Sequence, residues 1–198
     1  DRLLLVDGNA ILHRAYHALP GLTNKKGEPT GAVYGFVTML LRAIEDLKPR
    51  YIAVTFDTPK PTFRHGEYAG YQAQRPKMES DLSSQFEKVF KILDAAQIPF
   101  FRVEGYEADD VMGTIARQAV ESKRVKEQES GRIGSVDEVT IVTGDRDILQ
   151  LVDERVKVYI PIKGLSQAKL FGKQEVVEKM GVLPEQVADY KGLVGDPS

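Results

Sequence analysis

The chain has no cysteine, no tryptophan and only three histidines, and no apolar run approaches the ~18 residues of a membrane span. Without cysteine there is no disulfide framework, no zinc–thiolate site and no thiol nucleophile, which fits a reducing cytosol. The early run Leu3-Leu4-Leu5-Val6 is too short for a signal peptide, so a cytoplasmic protein with no membrane partner is expected. A Gly-x-x-x-x-Gly-Lys-Ser/Thr phosphate loop, a Gly-x-Gly-x-x-Gly turn and a Gly-x-Ser-x-Gly elbow are also missing. His13 and His17 stand four residues apart but lack the glutamate of the His-Glu-x-x-His zinc pattern, and read as core or surface residues.

What remains is an ordinary globular composition over 198 residues, with 42% hydrophobic and 28% charged side chains, sufficient for one domain with a real core. The net charge is −2, from 27 basic and 29 acidic residues. The acids are unevenly placed. Eight of them group at the motifs described below, and the rest of the chain then carries six more bases than acids. A basic body around an acidic pocket suits an anionic polymer together with a divalent metal.

Short apolar runs alternate with helix-period segments. Leu3–Val6, Ile52–Phe56 and Val139–Thr143 read as strands buried on both faces, and Pro99–Val103 and Val156–Ile160 as less central ones. Val33, Phe36, Val37, Leu40, Leu41, Ile44 and Leu47 keep helical spacing, as do Leu82, Phe86, Val89, Phe90 and Leu93, where Ser80 or Asp81 can cap. A third helix carries Val111, Met112, Ile115 and Ala119. The alternation predicts an α/β domain with a mostly parallel central sheet flanked by helices. Residues 122–137 read as a helix end followed by a mobile surface loop, and residues 58–79 as a long basic, aromatic, functional loop.

The strands end in carboxylates. Asp7 follows the first, Asp57 the second, and Asp145 and Asp147 the third across Gly144. Glu107, Asp109 and Asp110 stand where a helix should begin, and Asp196 lies near the end. Taken singly, each acid can be a helix cap or a turn former. In an open α/β sheet, however, the carboxyl ends of parallel strands share one rim, where ligands bind. Two charges about 4 Å apart repel by roughly 4 kcal/mol at an effective dielectric near 20, so a crowd of carboxylates requires protons or cations. An all-oxygen set suits magnesium or manganese, and this many acids suits two ions, the clamp used in phosphodiester hydrolysis.

The motifs Leu4-Leu5-Val6-Asp7-Gly8-Asn9, Gly27-Glu28-Pro29-x-x-Ala32-Val33-Tyr34-Gly35-Phe36, Phe56-Asp57 with Phe63-Arg64-His65, Gly105-Tyr106-Glu107-Ala108-Asp109-Asp110, Thr143-Gly144-Asp145-Arg146-Asp147 and Gly195-Asp196-Pro197-Ser198 occur together in this order. In this the chain resembles the 5′→3′ exonuclease domains of bacterial DNA polymerases I, within the flap endonuclease group with a PIN-like, resolvase-like core. The resemblance implies a single 5′ nuclease domain over 1–198, continuing beyond Ser198 into a helix–hairpin–helix module and possibly a polymerase.

It also implies that Asp7, Asp57, Glu107, Asp109, Asp110, Asp145 and Asp147 are catalytic and, with Asp196, hold two magnesium or manganese ions. Residues 60–80 then form an arch over the site, with Arg64, Tyr68, Tyr71, Arg75 and Lys77 contacting DNA, while Lys25 and Gly27 meet the junction of duplex and flap. Gln72 stands where the family usually has lysine. The implied substrates are 5′-flap, nicked or gapped DNA and RNA primers annealed to DNA. Two rivals are a non-catalytic nucleic-acid-binding module of the same fold and a phosphotransferase working through an aspartyl-phosphate. The latter's second aspartate after Asp7 is Asn9 here.

Overall fold

The structure, a computed structural model, describes residues 1–68, 71, 78–129, 136–163 and 167–195. Its strands are β1 (Arg2–Asp7), β2 (Tyr51–Thr55), β3 (Phe100–Phe101), β4 (Glu138–Val142), β5 (Val156–Lys163) and β6 (Gln167–Phe171), and its helices α1 (Gly8–Ala18), α2 (Gly31–Leu47), α3 (Phe63–Glu67), α4 (Ser80–Ala95), α5 (Ala108–Glu129), α6 (Lys173–Met180) and α7 (Val187–Val194). The sheet order is β3-β2-β1-β4-β5-β6, parallel except for antiparallel β6. This is the expected α/β architecture.

Period-two alternation divides the core. Leu3 and Leu5 face a cluster with Met112 and Ala116 of α5 and Val176 of α6, whereas Leu4 and Val6 face Leu12, Phe36, Val89 and Leu93 of α1, α2 and α4. Helices thus cover both faces, which is why β1 tolerates an unbroken apolar sequence. From β1 the chain moves outward to β2 and β3, then returns to place β4 on the other side of β1. The reversal lies between the carboxyl ends of β1 and β4, where crevices form in such sheets. Gly8 makes the tight step from β1 into α1 possible, since a Cβ there would stand 2.1 Å from Cε1 of Phe56.

Several expectations need correction. The Pro99–Val103 strand shrinks to Phe100–Phe101, and Arg102 leaves the sheet to stack over the Phe90 ring at 5.1 Å. Glu79, not Ser80 or Asp81, is the N-cap residue of α4. The helix end expected at the start of 122–137 is present, since α5 runs to Glu129, and the loop expected after it falls on residues 130–135, which lie outside the described residues. Among the described residues no helix is long and apolar enough to cross a membrane.

Candidate metal centre

One open groove of about 2180 Å³ lies over the carboxyl ends of β1, β2 and β4, and Asp7, Asp57, Glu107, Asp109, Asp110, Asp145 and Asp147 all line it. Each arrives by a local rule. Asp7 ends β1 and caps α1, accepting from the Ala10 N–H at 2.9 Å. Asp57 lies two residues past β2 and accepts from the Ala108 N–H at 2.8 Å, at the amino end of α5. Its own N–H donates to Asn9 Oδ1 at 3.1 Å, so the residue after the Asp7-Gly8 step fixes a second acid. Asp109 and Asp110 occupy the first turn of α5, and Glu107 immediately precedes it. Asp145 and Asp147 follow β4, with the Asp147 N–H donating to Asp145 Oδ1 at 2.8 Å.

The electrostatics divide these acids. Arg64 forks onto Asp110 with two bonds of 2.7 Å and approaches Glu107 at 3.4 Å. This pairing holds the Asp110 carboxyl below its ordinary range. Lys191 of α7 pairs with Asp147. Toward the centre the opposite holds. Burial raises the Asp7 carboxyl to about 6, partly offset by its Ala10 and Thr143 hydrogen bonds and reinforced by Asp57 and Asp145. Burial raises Asp109 to about 8, with repulsion from Asp7, Asp145, Asp57 and Glu107 adding to it. Among the described residues no basic side chain pairs with Asp7, Asp57 or Asp109.

The donor set fits hard divalent cations: it is all oxygen, its central members carry uncompensated charge, and the buried Thr58 hydroxyl beside Asp57 has no partner among the described residues. No three described Asp, Glu or His side chains close on one point. The carboxylates are spread along the groove instead.

The basic and aromatic residues are less simply arranged. Arg64 engages the acids rather than standing free toward a substrate. Tyr71 donates to Glu107 at 3.1 Å, and Tyr68 is exposed at the groove rim. Lys25 and Gly27 sit on the exposed turn between α1 and α2, where Asn24 Oδ1 accepts from the Lys26 and Glu28 N–H groups and Gly27 takes φ +80. Neither lines the groove. Arg75, Lys77, Gln72 and Asp196 lie outside the described residues.

Sequence reasoning missed several contributors. His13, read from its spacing as a core or surface residue, and His65, named in a motif but given no role, both line the groove. His65 Nδ1 accepts from the Thr62 N–H at 3.1 Å and closes the start of α3. Thr143, named in a motif but given no role beyond that of a strand residue, donates to Asp7. Lys191 gave no signal because its partner is 44 residues away.

Residues 2–181 match the family model described as the 5′-3′ exonuclease, N-terminal resolvase-like domain. The chain is 42% identical over 197 residues to DNA polymerase I of Bacillus subtilis (strain 168), a match covering 100% of this chain and 21% of that protein. It is 39% identical over 194 residues to a 5′-3′ exonuclease of Aquifex aeolicus (strain VF5), covering 98% of this chain and 61% of the relative. The chain thus spans about one fifth of the length of the polymerase relatives it matches. Among solved structures, a T5 5′-exonuclease with bound zinc superimposes with a TM-score of 0.69 at 22% identity, over 99% of this chain and 67% of that one. The bacteriophage T5 D15 flap endonuclease in complex with DNA and metal ions gives 0.67 at 21%, with the same coverage. At these identities the structures speak for the fold.

Proposed function

The chain belongs to the family of 5′-3′ exonuclease N-terminal, resolvase-like domains, and we propose that it is the catalytic domain of a divalent-metal-dependent 5′ nuclease. Its substrates are DNA with a 5′ flap, nick or gap and RNA primers annealed to DNA, cleaved to leave 5′-phosphate and 3′-hydroxyl ends. The observation that carries this reading is the convergence of acids from the ends of β1, β2 and β4 and the start of α5 on one groove, with the central ones raised by burial and mutual repulsion.

Asp7, Asp57, Asp109 and Asp145, joined by Glu107, are the residues that would hold two magnesium or manganese ions, with Asp110, Asp147 and Asp196 contributing directly or through water. When bound, such ions supply a water-derived nucleophile at neutral pH and charge stabilisation on the phosphate oxygens. The chain's own part is placement. The amino end of α5 orients Asp57 through the Ala108 N–H, and the cap of α1 orients Asp7. Arg64 and Tyr71 steady Glu107 from the foot of the arch. Tyr68 at the rim offers an aromatic face for a base, and Arg75 and Lys77 are the basic residues assigned to attract phosphates. Structures of similar fold include the T5 D15 protein co-crystallized with metal ions and a T5 D15 flap endonuclease complex with DNA and metal ions, which supports a reading with both kinds of ligand. In a longer chain like its polymerase relatives, the domain acts in the cytoplasm beside a polymerase on the same DNA.

A labelled 5′-flap duplex, incubated with the full-length protein and magnesium, tests the proposal. Cleavage near the junction is expected. Equal cleavage by an Asp109→Asn, Asp145→Asn double variant would overturn it.

A further inference from the structure

The backbone ladder between β1 and β4 stops short of the acids. Its last paired residues are Val6 and Val142, so no strand pairing fixes Asp7 relative to Asp145. The next rung is a side chain. Thr143, fully buried, donates its hydroxyl to Asp7 Oδ2 at 2.7 Å, and the Thr143 hydroxyl oxygen accepts from the Asp145 N–H at 3.0 Å. Asp7 Oδ1 is meanwhile held by Ala10, and Asp145 Oδ1 by the Asp147 N–H. One hydroxyl therefore closes a continuous hydrogen-bonded chain from the amino end of α1, across the sheet's reversal point, to the 3-10 turn Asp147–Leu151.

We infer that Thr143 is a positioning residue, whose hydroxyl sets the mutual orientation of the Asp7 and Asp145 carboxylates and so prepares the site for divalent cations. The inference rests on the reading of these acids as cation ligands. Its physical basis is that Asp7 is buried, with 4% of its surface exposed, so water cannot replace a lost donor at low cost. Valine at position 143 keeps the shape and strand preference while removing the hydroxyl. It would leave a buried carboxylate oxygen and a backbone N–H without their partner, free to turn away from each other. Residues that orient ligands in this way typically change metal affinity about 10–100-fold when removed.

Manganese binding to the full-length protein, followed by loss of the free-ion electron paramagnetic resonance signal, provides the test without any substrate. Thr143→Val should weaken binding about tenfold or more, and Thr143→Ser, which keeps the hydroxyl, should restore it to near the wild-type value. If Thr143→Val does not fold, Thr143→Ala is read in its place with the same expectation. Wild-type affinity in the valine or alanine variant would overturn the inference, and so would a serine variant as weak as valine, since the methyl group would then be what matters. No manganese binding by the wild-type protein would overturn this inference together with the reading of the acids on which it stands.

Discussion

The flanks and the centre of the acidic groove solve the same electrostatic problem in opposite ways. At the flanks, Asp110 and Asp147 are neutralised from within the chain, by Arg64 and Lys191. At the centre, Asp7 and Asp57 receive only neutral donors, and Asp109 has no basic partner among the described residues. The flanking pairs make the fold self-sufficient there. The centre is left with acids that only protons or external cations can balance, and burial together with neighbouring carboxylates raises Asp7 and Asp109. On the proposed reading, the acids that would hold cations are kept apart from the ion pairs that hold the walls of the groove.

The largest expected effect comes from removing charge at the centre. Asp109→Asn should lower flap cleavage about a thousandfold or more, roughly 4 kcal/mol of barrier, while raising the melting temperature of the protein in chelator. A variant that loses activity but also loses stability in chelator would break the proposed contrast. At the flank the signs reverse. Arg64→Ala should destabilise the fold by about 2 kcal/mol in urea titrations, because it strands Asp110 beside Glu107. The double variant with Asp110→Asn should recover part of that loss.

Acidity offers a gentler test. Folded Asp7 and Asp109 hold protons more tightly than unfolded aspartate, whose ordinary value is 3.8. In chelator the protein should therefore be most stable, as far as these two groups are concerned, below 3.8 and lose stability as pH rises through about 6 and then about 8. Millimolar magnesium should flatten that decline and raise the melting temperature at pH 8. A melting temperature in chelator that does not fall over this range would count against the crowded centre. The smallest effect is expected at Lys60, whose pair with Glu104 is exposed on both sides: Lys60→Ala should leave the melting temperature unchanged.

The centre was more legible in the sequence than the flanks, for a physical reason. A strand buried on both faces is a run of apolar residues, and a polar residue can follow only where the strand leaves the sheet. Asp7, Asp57 and Asp145 are thus marked by Leu3–Val6, Ile52–Phe56 and Val139–Thr143 themselves. Glu107, Asp109 and Asp110 are similarly marked by the apolar period of α5. The flanking pairs join residues 46 and 44 positions apart, so the sequence named Arg64 as a DNA contact without revealing its acidic partner and left Lys191 unmarked. Thr143 stayed hidden because threonine is equally at home in a strand for its shape. β6 was missed because Gln167-Ala-Lys-Leu-Phe is a polar edge strand without a continuous apolar run, and α6 and α7 because eight residues give too few turns for a period to stand out.

The central claim is that the crowded centre holds a proton near neutral pH, chiefly on Asp109, which divalent cations displace, and proton release measures it directly. Manganese added to the full-length protein in weak buffer at pH 7 should release about one proton per molecule, and Asp109→Asn should release markedly less. Stoichiometric manganese binding with no proton released by the wild-type protein would contradict the account.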